Sequence, residues 1–198
     1  MSVSSSEFPN KDKTVCFSGH RPEKLPDGGR MLSAKNNALK SILYTEVLNC
    51  IQQGYTEFLT GVSRGVDLWA SEIVLELKNT YKHIRLVAVY PCRDFGEHFI
   101  SRDKFILGNC CQYADEVVYL SEKYTKGCLR KRNEYMVNRS AKLIAVVSDY
   151  KSGTGQTIRY AEKQGIITRV IDAGKFSAGV DMLTDDDEVS DFRIHYIT

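Results

Sequence analysis

The sequence has no apolar run long enough to cross a lipid bilayer. Residues 1–13 are polar and lack the apolar stretch of a secretory signal peptide. We therefore expect a flexible leader at 1–13 and a cytoplasmic protein without membrane contacts. The sequence also has almost no excess of positive or negative charge, because 27 Lys and Arg residues stand against 25 Asp and Glu residues, giving a net charge of +2. A charge this close to neutral argues against a nucleic-acid-binding protein.

Cysteine motifs are missing as well. The six cysteines form no CxxC pair and no Cys/His spacing typical of a zinc site. Several of them lie inside apolar runs, where a free cysteine behaves as a small hydrophobic side chain. We therefore expect reduced thiols, as in a cytoplasmic protein, and no bound metal.

What the sequence does contain is a regular alternation of two patterns within 198 residues, a length that suits one domain. Short runs, most of them continuously apolar, are typical of strands that are covered on both faces. These predicted strands are Thr14–Ser18, Glu57–Gly61, Ile84–Tyr90, Glu116–Leu120, Lys142–Ser148 and Thr168–Asp172. Between them lie segments with helical periodicity or helix-start residues, at Lys35–Gln53, Val66–Asn79, Glu97–Gln112, Lys131–Ser140 and Thr157–Gln164.

This alternation predicts an α/β fold: one Rossmann-like domain over 14–172 with an open, mainly parallel sheet and helices on both faces. Residues 173–198 are expected to form a C-terminal extension that packs on the domain or trails from it. In such sheets, ligands bind beyond the carboxyl ends of the strands. The loops that follow the strands are therefore the candidate sites.

The first strand is followed by Ser18, Gly19, His20 and Arg21. Glycine permits close backbone approach, while the other three side chains offer donors that suit an anion. The simpler interpretation is a turn that ends the strand at Pro22.

The second strand leads through a glycine-containing loop into a helix, with candidate ligand-binding residues Gly61, Ser63, Arg64, Gly65 and Asp67. Exposed backbone amides at a helix N-terminus bind anions. The loop is neither a Walker A motif nor a GxGxxG fingerprint, and a plain turn is the alternative. Asp67 has two possible roles, a helix cap or an acceptor for ribose hydroxyls.

The fifth strand precedes the strongest local signal, a Ser-Gly-Thr-Gly sequence beside Lys151. Its candidate phosphate-binding residues are Ser152, Gly153, Thr154, Gly155 and Thr157. A flexible surface loop would have a similar composition.

Two further loops supply cations. Arg132 and Asn133 follow the fourth strand within a basic cluster at the start of a helix, where positive charge opposes the helix dipole. That misfit favours an acidic ligand, although a solvated basic helix start is the alternative. Arg93, after the third strand, adds one more cation.

Taken in order, these loops resemble a known family. The segments 17–25, 61–67, 138–141 and 152–161 look like those of the YpsA-like bacterial proteins. That family belongs to the SLOG superfamily, which also contains the DNA-processing protein DprA and the LOG-type phosphoribohydrolases. The resemblance covers about residues 13–172 and implies a Rossmann-like fold with a nucleotide-type pocket.

The resemblance does not imply an activity. LOG-type enzymes carry a PGGxGTxxE loop whose glutamate takes part in cleavage of the N-glycosidic bond, whereas Thr157 or Arg159 occupies that place here. No catalytic residue is therefore assigned, and no cofactor is assigned beyond a nucleotide-type ligand.

Three hypotheses follow. The favoured one is binding or sensing of a nucleotide or a related phosphorylated small molecule. The second is a hydrolase acting on a nucleotide or its N-glycosidic bond, with Asp67, His20 and Glu162 as the available acid–base groups. The third is DprA-like binding of single-stranded DNA. Assembly into a homo-oligomer stays open, because nothing in the sequence decides it.

Overall fold

The computed structural model describes residues 10–30 and 32–176. Within those ranges the chain forms six strands and five helices. The strands are β1 (Thr14–Gly19), β2 (Glu57–Thr60), β3 (Arg85–Tyr90), β4 (Glu116–Tyr119), β5 (Lys142–Val147) and β6 (Ile167–Asp172). The helices are α1 (Ala34–Gln52), α2 (Val66–Leu77), α3 (Ser101–Tyr113), α4 (Cys128–Asn138) and α5 (Gly153–Lys163). Most of the expected leader and C-terminal extension, residues 1–9 and 177–198, lies outside the described residues.

The strands form one sheet in the order β4-β3-β2-β1-β5-β6, and every strand pair in the described part of the chain is parallel. This confirms the predicted Rossmann-like α/β fold. The chain builds outward from β1 to the edge strand β4 and then returns to place β5 on the other side of β1. The reversal leaves a crevice at the carboxyl ends of β1 and β5, where open α/β sheets bind their ligands.

The sheet is covered on both faces, as the apolar runs predicted. One core cluster joins α1, α2 and α3 to Phe17 and Phe58 on one face of the sheet. The other joins Met136 of α4 and Ile158 of α5 to the opposite face, around Leu143. Successive residues of β5 alternate between the two clusters, because neighbouring side chains of a strand point to opposite faces.

Three helix starts differ from the predicted ones by three or four residues. Helix α5 begins at Gly153 rather than Thr157, because the Ser152 side chain caps it by accepting a hydrogen bond from the Gly155 amide at 3.2 Å. Helix α4 begins at Cys128, three residues earlier than expected, and α3 begins at Ser101, four residues later. The glycine-rich sequence after β5 is therefore mainly the first turn of a helix rather than a loop.

All six cysteines are free thiols, and five of them are buried. None of the helices in the described residues has both the length and the apolar character to span a membrane.

Candidate functional site

A cavity of about 390 Å³ opens at the carboxyl ends of β1 and β5, and we call it the switch-point cavity. It is lined by residues from three of the loops that the sequence singled out, together with α4. The lining residues are Ser18, Gly19, His20, Arg21, Glu23, Lys24, Ser63, Asp67, Leu129, Arg132, Asn133, Ser152, Gly153 and Thr154. The loops after β1, β2 and β5 thus meet at one place, which follows from their position at the same edge of a parallel sheet.

The first turn of α5 supplies unpaired backbone donors. The amides of Gly153 and Thr154 have no acceptor among the described residues, whereas the next amide is satisfied by Ser152. These two donors lie at the positive end of the helix dipole. Both residues line the cavity, so this part of the wall is suited to an anion.

His20 has one nitrogen committed to the fold. Its Nε2 accepts hydrogen bonds from the backbone amides of Ser148 at 2.9 Å and Asp149 at 3.1 Å. A neutral imidazole that accepts at Nε2 carries its proton on Nδ1. Burial lowers the pKa of His20, and the nearby charge of Lys24 acts in the same direction. His20 therefore fixes the end of β5 and has one N–H left to donate.

Two cations border the cavity on the β1 side. Lys24 pairs with Asp149 at 2.8 Å, and both side chains are about half exposed. Arg21 is exposed and forms no ion pair or side-chain hydrogen bond with the described part of the chain. Its charge is therefore free to meet an incoming anion.

A buried ion pair between Asp67 and Arg132 forms another wall of the cavity. Asp67 Oδ2 accepts from the Ser63 amide at 3.3 Å and lies 3.4 Å from Arg132 Nη1. Arg132 also donates to Ser63 Oγ at 3.0 Å and to the carbonyl of Gly61. Burial raises the pKa of Asp67 despite the opposing charge of Arg132. Asp67 Oδ1 and Arg132 Nε have no partner within the described residues.

The loop between β2 and α2, whose Gly61 and Ser63 contact this pair, is strained. Val62 is fully buried with φ of +54°, a left-handed conformation that β-branched residues rarely adopt. Strain of this kind persists where the surroundings enforce it, and it concentrates at functional sites. The strain and the two unsatisfied atoms occur together at this wall, and a ligand role for the loop in place of a plain turn stays a prediction.

The contacts of Asp67 bear on its two proposed roles, a helix cap and an acceptor for ribose hydroxyls. The carboxylate does not cap α2 in the usual way, because the amide that it accepts from belongs to Ser63, which precedes the helix. A contact between Oδ1 and a ribose hydroxyl stays a prediction.

Several predicted site residues lie outside the lining of this cavity. Arg64 pairs with Glu23 at 2.6 Å and with Asp103 at 3.0 Å. Arg93 pairs with Glu122 at 2.9 Å and lies over the ring of Tyr119. Both arginines have protein partners, and a ligand role for either one stays a prediction.

The predicted glycines outside the lining have packing roles. Gly61 has no room for a Cβ beside the guanidinium of Arg132, and a Cβ on Gly65 would come within 2.5 Å of the His20 carbonyl. A Cβ on Gly155 would overlap the carbonyl of Tyr150. Gly61 thus leaves room for the Arg132 side chain, and Gly65 and Gly155 let two segments of backbone approach closely, whatever these glycines do for a ligand.

Thr157 and Asn133 are joined to each other. Asn133 Nδ2 donates to Thr157 Oγ1 at 2.8 Å, and this hydrogen bond links α4 to α5. Asn133 lines the switch-point cavity, whereas Thr157 lines only the neighbouring groove between the two helices.

Sequence reasoning missed Lys24 and Glu23 as cavity residues. The signal was present, since both belong to the segment after Pro22 that carries the family resemblance. That segment forms a short 3-10 turn at Pro22–Lys24, and its Glu23 and Lys24 line the cavity. In the described ranges, no three His, Cys, Asp or Glu side chains group as a metal ion would require.

An open parallel sheet with a crevice at its switch point defines the class, a Rossmann-like α/β protein. Within that class, the chain belongs to the YpsA family, because the sequence model of that family, described as the YspA SLOG family, matches residues 15–172. The resemblance carried by the four segments is thereby confirmed.

Curated relatives share part of the chain. A UPF0398 protein of Halalkalibacterium halodurans is 29% identical over 118 residues, which cover 59% of this chain and 62% of the relative. A UPF0398 protein of Enterococcus faecalis is 30% identical over 89 residues, covering 45% and 49%. The matches thus span about half to three-fifths of those relatives.

Two solved structures have a similar fold. DNA processing protein A from Helicobacter pylori, described for its single-stranded DNA binding mode, has a TM-score of 0.57 at 19% identity, covering 87% of this chain and 74% of that one. DprA from Streptococcus pneumoniae has a TM-score of 0.53 at 13% identity, covering 81% and 50%. At these identities the likeness establishes the fold alone.

Proposed function

We propose that this protein binds a nucleotide, or a nucleotide-derived phosphorylated small molecule, in the switch-point cavity. The observation that carries the proposal is the meeting of three kinds of uncommitted donor in one crevice. They are the first-turn amides of α5 at Gly153 and Thr154, the Nδ1–H of His20 and the exposed, unpaired Arg21.

Phosphate is the group that these donors suit best. Backbone amides at a helix N-terminus and a guanidinium both recognise phosphate oxygens. The cavity volume of about 390 Å³ is within the usual range for small-molecule sites. Asp67, which also lines the cavity, would repel a phosphate, so it is better suited to a sugar hydroxyl.

Titration calorimetry with nucleoside mono- and diphosphates and with inorganic pyrophosphate tests this proposal. Arg21→Ala removes a charge-assisted contact and should weaken binding about tenfold or more. Arg30→Ala is the matched control, because Arg30 is also exposed but lies outside the cavity. Absence of binding by every compound, or equal affinity of Arg21→Ala and the wild type, would refute the proposal.

Binding of single-stranded DNA is the second candidate, favoured by the fold shared with the DprA of Helicobacter pylori. Several phosphates of a strand would each release counterions, so the affinity would fall steeply with salt. A single nucleotide gives a shallow salt dependence. Measuring the affinity for an oligothymidylate and for a nucleoside diphosphate between 50 and 200 mM salt, roughly the range over which such losses are large, separates the two candidates.

The hydrolase alternative draws less support from the geometry. Glu162 is exposed near the end of α5 and does not line the cavity. The Nε2 atom of His20 already accepts two backbone hydrogen bonds, so it is not available as a base. Of the three acid–base groups considered, Asp67 alone combines a position in the wall with a raised pKa.

A further inference from the structure

A second cavity, of about 430 Å³, adjoins the first and is built of different chemistry. We call it the aromatic cavity. It is lined by Arg64, the segment 94–99 that follows β3, Tyr124 and Arg21. Arg21 lines both cavities, so one extended ligand can occupy the two at once.

Three aromatic side chains face this space. Phe95 and Phe99 contact each other edge to face, with ring centroids 5.5 Å apart and planes at 78°. Both are half-buried against the core cluster of α1, α2 and α3, which holds them in place. Tyr124 also lines the cavity and is 60% exposed. Rings fixed in this way provide apolar walls for a planar group.

Apart from Arg21, the charged side chains of the aromatic cavity do not suit phosphate. The positive charge of Arg64 is already neutralised by Glu23 and Asp103. Asp94 and Glu97 add two exposed carboxylates to the lining. Carboxylates accept hydrogen bonds from hydroxyl and amino groups and repel phosphate oxygens.

The segment that carries these groups is held by its own turns. The amide of Phe95 donates to the carbonyl of Cys92 at 3.3 Å, and that of Phe99 donates to Gly96 at 3.0 Å. Gly96 has φ of +97°, and a Cβ there would come within 2.5 Å of the Leu107 side chain on α3. The backbone of the segment is therefore held by its own turns and packing, which lowers the cost of binding.

We propose that the aromatic cavity binds the nucleoside end of a ligand whose phosphate lies in the switch-point cavity. The inference rests on the proposed function and narrows it, because it requires a base or another planar aromatic group and not a phosphorylated sugar alone. Phe99 and Tyr124 supply stacking surfaces, Glu97 accepts from hydroxyl or amino groups, and Arg21 lies between the two ends of the ligand.

The test compares ADP, GDP, CDP and UDP with inorganic pyrophosphate by calorimetry. At least one nucleoside diphosphate should bind ten times more tightly than pyrophosphate or better. Tyr124→Ala and Phe99→Leu should each lower the ratio of nucleotide affinity to pyrophosphate affinity about fivefold or more, the usual range for one stacked base. Neither change should alter the affinity for pyrophosphate more than twofold, which also shows that each variant is folded.

Tyr113→Ala is the matched control, since Tyr113 is 58% exposed on α3 and lines neither cavity. Equal binding of pyrophosphate and all four nucleotides would overturn this inference while leaving the phosphate site intact. So would a loss in Tyr124→Ala without one in Phe99→Leu, because Tyr124 also borders the groove between α4 and α5. Failure of pyrophosphate and nucleotides alike would instead refute the proposed function.

Discussion

His20 illustrates how one side chain serves both the fold and the cavity. Its Nε2 accepts two amides at the end of β5, so protonation would place an N–H against two N–H donors. Burial and this arrangement both disfavour the charged imidazole, and the pKa of His20 is lowered from 6.5. An unfolded chain has no such constraint.

This arrangement predicts a pH-dependent stability. As the pH falls below about 6.5, the unfolded state takes up a proton at His20 before the folded state does, so the free energy of unfolding decreases. The contribution is fully present above the unfolded pKa and is lost toward the lowered folded pKa. Urea unfolding of the wild type at pH 8, 6 and 5 should show this loss.

His20→Gln keeps an acceptor for the amides but does not titrate, so its loss over the same range should be smaller. His83→Gln, at an exposed histidine, should retain the wild-type loss. Identical pH profiles for His20→Gln and the wild type would contradict the role given to His20.

At the residue level, the sequence predicted the cavity better than it predicted the individual cations. Ser18 lies near the end of β1 and His20 and Arg21 follow it directly, and parallel topology alone brings them to the right edge. Arg64 and Arg93 also lie in loops that follow strands, but each forms an ion pair with a carboxylate that is distant in the sequence. Such long-range ion pairs leave no local signal in a sequence.

Helix α5 shows the same limit at the scale of an element. The glycines after β5 predicted a loop, but the chain enters the helix at once because Ser152 caps it. The cap was readable in the sequence, since Ser is among the preferred residues at that position. The two glycines of the first turn then have different roles that only packing reveals.

We expect Gly155→Ala to lower the free energy of unfolding by about 1–3 kcal/mol, because the added Cβ would overlap the Tyr150 carbonyl. Gly153→Ala, two residues earlier in the first turn of α5, is the control, because nothing lies within 4 Å of a Cβ added there. It should be neutral or slightly stabilising. Thermal unfolding of both variants checks this, and equal melting temperatures would show that Gly155 is not needed for packing.

For the molecule as a whole, the fold class was predictable because continuously apolar strands alternate with helical segments. The strand order was not, since nothing local states that β5 returns to the side of β1. That return is what places the first turn of α5 opposite the loop after β1. The strand order thus creates the cavity, whereas the sequence could indicate only which loops line it.

Binding of a phosphate group at the first turn of α5 underlies both proposals. Its most direct test is an amide ¹H–¹⁵N NMR titration with inorganic pyrophosphate and with ADP. We expect the largest shifts on Gly19, Gly153 and Thr154, which line the cavity. Gly54 and Gly165, which precede β2 and β6 at the opposite edge of the sheet, should stay unchanged. Largest shifts at those two glycines, or none anywhere with either compound, would contradict it.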